Sequence, residues 1–157
     1  MEDEKNVRED KKLTYVCFNL GDELYGQDIC HINEITRIDT VTEMPGSPEY
    51  IMGVTNLRGK VVPVMDIRQR LGLEPIRLSG KSRLIVVEHD LSSLGLAVDL
   101  VHYVNQVPTS EIQPPPEQAK SERNRFLDGI IFHEGELLYL IDVLRIYEAE
   151  DARLMEV

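Results

Sequence analysis

The chain carries few of the residue patterns that announce chemistry. Two cysteines, Cys17 and Cys30, occur in 157 residues without CxxC spacing, so neither a disulfide scaffold nor a thiolate zinc site is expected. Both are expected to be reduced, buried thiols. The histidines His31, His89, His102 and His133 include no i, i+4 pair and none adjoins a cysteine at ligand spacing, so no metal site is expected. GxGxxG, GxxxxGK[ST] and GxSxG are all missing, which removes the usual phosphate cradles and the nucleophile elbow, and no cofactor is expected. No stretch approaches the ~18 apolar residues needed to span a bilayer. The opening MEDEKNVREDKK has no apolar h-region, so a cytoplasmic protein without membrane insertion is expected. Positive charge is scarce too. Lys+Arg total 17 against 28 Asp+Glu, a net charge of −11 that repels nucleic-acid phosphates and anionic lipid, so neither is an expected partner.

What is present is a succession of short β-type runs separated by turn residues. Met1–Lys12 reads as a disordered, solvated tail and 150–157 as a second one. Leu13–Leu20 reads as a strand, and Gly21-Asp22 turns it into another over Glu23–Gln27. Asp28 then opens a short helix whose Ile29, Ile32 and Ile35 share one face. A strand over Thr36–Thr42 ends at the turn-rich Met44–Pro48. After a loop at Pro75–Gly80, Arg83–Glu88 and Leu94–Val98 form a hairpin connected through Asp90–Ser93. His102–Val107 is a further strand. Thr109–Arg125, with prolines at 114, 115 and 116, is a surface excursion that cannot join a central strand. Phe126–His133 and Glu136–Ile141 form a last hairpin around Glu134-Gly135. Asp142 starts a terminal helix that turns Val143, Ile146 and Tyr147 inward.

The most informative segment is Tyr50–Gly72, YIMGVTNLRGKVVPVMDIRQRLG. Arg58-Gly59 sits between two β-rich runs, where glycine supplies the positive φ of a tight turn. Val61, Val62, Val64 and Met65 read as a strand buried on both faces. Asp66 caps a helix through Arg70, and Gly72 ends it. A rigid hairpin presenting one arginine is a surface for gripping a partner. Gly59–Ile67 recurs in type as Gly135–Val143, 76 residues on, and Tyr25–Ile32 resembles Leu96–Tyr103, aligning Asp28 with Asp99. Two such units suggest two small β-subdomains packed into one body. The aspartate pairs Asp66/Asp142 and Asp28/Asp99 leave open a hydrolase or isomerase working with facing carboxylates, although helix and turn capping explains the same four residues.

Gly53–Arg68, GVTNLRGKVVPVMDIR, resembles the signature segment of the CheW family of bacterial chemotaxis coupling proteins. Leu20–Ile29, Glu34-Ile35, the Ala97–Asp99 region with Val101 and Val104, and Leu140–Asp142 resemble that family as well, so the likeness runs from about Leu13 to Ala149. The resemblance implies a mainly β fold of two SH3-like five-stranded β-barrel subdomains, interleaved and packed together, with short helices and a C-terminal helix. It implies no catalysis. The implied role is an adaptor coupling the cytoplasmic tips of methyl-accepting chemoreceptors to the regulatory domain of the histidine kinase CheA, recruited to membrane-associated receptor arrays. A scaffold of the same fold in a non-motility histidine-kinase pathway is the alternative. The family's receptor-facing groove, carried over, involves Ile32, Glu34, Gly53, Arg58, Gly59, Val101 and Val104. Its kinase contacts follow the last strand of the second subdomain, which here reads EIQPPPEQ and offers Gln113 and Gln118. Glu34 and Arg58 are expected to pair and hold the guanidinium in one orientation.

Overall fold

In the computed structural model the described residues are 11–89, 92–115 and 122–146. Apart from Lys11 and Lys12, the expected tails lie outside them, as do Gln118, Tyr147 and the connection at 90–91. The elements are β1 (Lys12–Leu20), β2 (Glu23–Asp28), β3 (Ile32–Arg37), β4 (Ile51–Leu57), β5 (Lys60–Asp66), α1 (Ile67–Arg70), β6 (Arg83–His89), β7 (Ser92–Val98), β8 (Leu100–Pro108), α2 (Glu122–Arg125), β9 (Leu127–His133), β10 (Glu136–Ile141) and a turn of helix, α3, at 143–146.

The fold is mainly β, in two five-stranded sheets ordered β8-β1-β2-β10-β9 and β3-β6-β7-β5-β4. Each is built on a hairpin, β1–β2 or β6–β7, and the next strand leaves for the other sheet. β3 pairs with β6, and β8 pairs with β1. The hairpins β4–β5 and β9–β10 then join through the parallel pairs β5·β7 and β10·β2.

This crossing explains why β1 and β6 are apolar on both faces. Tyr15 and Cys17 face the inner core of the first sheet, while Phe18 and Leu20 face the second sheet. Leu84 and Val86 face the second sheet's inner core, while Ile85 and Val87 join Phe18 in the core between the sheets. Each such aliphatic or aromatic side chain contributes about 1.5–3 kcal/mol on full burial. Helix α1 adds a polar tie across the seam. Arg68 Nη1 donates to Asp99 Oδ2 at 3.0 Å, and the same oxygen accepts the Gly21 N–H at 2.6 Å.

The 76-residue echo is structural. Arg58 and Gly59 have φ of 53° and 82°, and Glu134 and Gly135 have 50° and 83°. These are two-residue turns with both central residues left-handed, as a twisted hairpin requires. Asp66 N–H donates to the Tyr50 carbonyl at 2.7 Å, and Asp142 N–H to the Phe126 carbonyl at 2.8 Å. Thr42 bridges Val54, as Gln113 bridges Ile130.

Several sequence expectations are corrected. Asp28 opens only a 3-10 turn, Ile29–His31, and Ile32 and Ile35 lie on strand β3. Consecutive β-branched positions there are held by the β6 ladder, and the burial alternates with period two as a strand's does. That strand ends at Arg37, and Thr42 makes a single bridge instead of closing a Thr36–Thr42 strand. Val61 is 65% exposed, so β5 is buried on both faces only beyond it. Cys30 is exposed. The excursion after Pro108 includes a 3-10 turn, the Gln113 bridge and helix α2. Asp28 and Asp99 are not equivalent. The ladders align Ile32 with Val101, Glu34 with Tyr103 and Ile35 with Val104, an offset of 69 (101 − 32), with a register shift at the same place in both.

Candidate functional site

The second sheet is curved enough for Glu34, on edge strand β3, to reach the β4–β5 turn at its other side. Arg58 Nη2 lies 3.3 Å from Glu34 Oε2, so the expected pair forms. The arginine is 83% exposed and the glutamate 23%, so the guanidinium is presented while its partner is anchored. The turn is itself braced, since Asn56 Oδ1 accepts the Gly59 N–H at 2.9 Å. Beside it Lys60 Nζ donates to Ser93 Oγ at 3.0 Å and lies 3.6 Å from Glu88 Oε1. Arg58, Lys60, Glu34 and Glu88 ring a depression of about 190 Å³ floored by Val62 and Val86.

The apolar candidates lie where the sheets meet. Ile32 on β3 and Val101 on β8 are partly buried and pack against the core between the sheets, each from an edge strand. Val104, 57% exposed, and its ladder equivalent Ile35, 39% exposed, extend that apolar character outward. Gly53 does not present a surface. It is buried at φ 146°, and any Cβ there would collide with the Thr42 carbonyl, so close backbone approach is what requires glycine. Gln113 is exposed and held through its backbone to Ile130 at 2.8 Å in both directions. Ile35, Lys60, Glu88 and Ser93 were missed by sequence reasoning. The Ile35 signal was present, since Ile32-Asn33-Glu34-Ile35 parallels Val101-His102-Tyr103-Val104. Glu88 and Ser93 face each other in the β6–β7 hairpin, and Lys60 reaches them because β5 pairs in parallel with β7, which the sequence alone does not specify.

The equivalent end of the first sheet is larger and inverted in charge. Glu134 and Glu136 stand where Arg58 and Lys60 stand, and with Asp22, His102 and Tyr103 they line a depression of about 690 Å³. Glu23, also on its wall, is held by Arg123 Nη1 at 2.6 Å. None of the aspartates nominated for acid–base chemistry lines it. Asp66 Oδ1 caps α1 through the Arg68 and Gln69 N–H groups, and its Oδ2 accepts from Ile76 N–H at 2.9 Å. Asp142 caps Leu144, Asp28 caps Cys30, and Asp99 holds Gly21 and Arg68.

Comparison with known proteins agrees with this architecture. A family model described as "CheW-like domain" matches residues 14–151. The chain is 32% identical over 142 residues to "Chemotaxis protein CheW" of Klebsiella aerogenes, covering 90% of this chain and 86% of that protein. It is 30% identical over 138 residues to the protein of the same name in Bacillus subtilis, covering 88% of each. The crystal structure of scaffolding protein TtCheW from Thermoanaerobacter tengcongensis superposes with a TM-score of 0.76 at 36% identity, covering 83% of this chain and 84% of that one.

Proposed function

From the premise that this chain belongs to the CheW-like domain family, we propose that it is a non-enzymatic chemotaxis adaptor coupling the cytoplasmic tips of methyl-accepting chemoreceptors to the regulatory domain of the kinase CheA. The receptor tip is a helical coiled coil, and a helix binds by laying its apolar face in a groove. Ile32, Val101 and Val104 supply the apolar wall at the seam, and Arg58 and Gly59 form its polar rim. Gly53 acts indirectly, by letting the β4 backbone pass under Thr42. Gln113, exposed beside β9, and Gln118 are the candidate kinase contacts. Recruitment to membrane-associated receptor arrays through these partners is part of the same adaptor reading; among the described residues no helix is long and apolar enough to cross a membrane.

The observation that carries this reading is the ion pair that aims an exposed guanidinium from a fixed turn. An exposed pair adds only about 0.2–1 kcal/mol to folding, so its value is positional. Arg58→Glu is expected to weaken co-sedimentation with receptor tips and the kinase domain while shifting thermal unfolding very little. Equal loss of fold and assembly would recast Arg58 as structural, and no wild-type co-sedimentation would remove the adaptor reading.

A further inference from the structure

Arg70 is a cation inside the seam. Only 7% exposed, its guanidinium carbon lies 4.9 Å from the centre of the Tyr50 ring and 4.6 Å from that of Phe126. Those two rings are equivalents. They are 76 residues apart, and each backbone carbonyl accepts the N–H of the equivalent aspartate, Asp66 or Asp142. The side chain therefore sits between matching points of the two repeats, one at the entrance to each hairpin, β4–β5 and β9–β10. The second repeat offers no matching cation, since its equivalent position is Ile146, fully buried in the same core. The exposed Arg125 also places its guanidinium carbon 5.2 Å from the centre of the Phe126 ring, whereas the buried Arg70 lies against the rings of both repeats. A flat, delocalised cation fits between two π faces in a way that an ammonium does not.

Tyr50, Phe126, Ile32 and Val101 all belong to or pack against the core between the sheets. We propose that Arg70 is the positioning residue of the receptor groove, its guanidinium spacing the two sheets through Tyr50 and Phe126 and thereby setting the separation of β3 from β8. This rests on the groove reading above, and the test separates the two. Spin labels at Arg37→Cys on β3 and Gln106→Cys on β8, both exposed, in a Cys30→Ser background, report the spacing by pulsed electron–electron resonance. Binding of the isolated signalling tip of a methyl-accepting chemoreceptor reports the groove. Arg70→Lys and Arg70→Met are expected to shift or broaden the distance distribution and to weaken tip binding roughly three- to thirtyfold. If Arg70→Met does not fold, Arg70→Lys decides alone. A purely structural role would lower the melting temperature and leave the folded molecules' distances and affinity at wild-type values, which overturns the proposal. Lost affinity with an unchanged distribution overturns it as well. Should the wild type ignore the tip, the groove reading falls and the distance measurement alone judges Arg70.

Discussion

At the scale of single residues, the two thiols have opposite surroundings. Cys17 is buried in the inner core of the first sheet, and burial pushes its pKa up to about 11. Cys30 is exposed just past β2, its thiol raised by partial burial and by the neighbouring Asp28 carboxylate. A disulfide-exchange reagent at pH 8 is expected to titrate one thiol in the native protein and the second only after denaturation. Fast reaction of both would mean that the first sheet opens readily. Cys17 also gives a sign for alkaline stability. The folded state keeps the proton that the unfolded thiol releases near pH 9, so the contribution is complete below that pH. It is lost up to about pH 11, by at most about 1.4 kcal/mol per pH unit.

At the scale of elements, equivalent caps carry different loads. Asp66 is 1% exposed and accepts from Arg68, Gln69 and Ile76 N–H groups, tying α1 to the loop beyond it. Asp142, partly exposed, caps Leu144 and lies 3.4 Å from Arg145 Nε. Asp66→Ala strands several buried donors and is expected to cost about 2–4 kcal/mol, whereas Asp142→Ala costs about 1 kcal/mol. Urea midpoints of the two variants test this, and equal shifts would contradict it. The paired glycines at 53 and 129 follow the same logic. Each passes beneath a bridging carbonyl, from Thr42 or Gln113, that a side chain would strike.

At the scale of the molecule, interleaving makes the two repeats one folding unit. Strands β1–β5 divide two and three between the sheets, and β6–β10 do the same in reverse. Cutting the exposed loop at Arg77–Lys81 severs the repeats without breaking a ladder. The nicked halves are expected to co-purify under native conditions and separate only in denaturant, and neither is expected to fold alone. Independent folding of 1–78, judged by amide dispersion, would show that the core between the sheets is dispensable.

Local chemistry was legible from the chain itself: the hairpins, the left-handed Arg58-Gly59 turn, the aspartate caps and the 76-residue echo. The hairpins, turns and caps depend on residues within a few positions of one another, where backbone geometry and short polar side chains decide the outcome, and the echo is one such local pattern written twice. The Glu34–Arg58 pair was legible through resemblance, because a recurring motif stands in for a fold. Other features depended on which strands meet. The exchange of β3 and β8 between sheets turned an apparent helix at Ile29–Ile35 into a strand. The 69-residue register became visible only in the ladders, since a shared bulge hides it in the string of residues. Arg70 in α1 reads as one more helix arginine until Tyr50 and Phe126 close over it. Such a position is set by long-range packing of two equivalent rings, which no neighbour along the chain specifies.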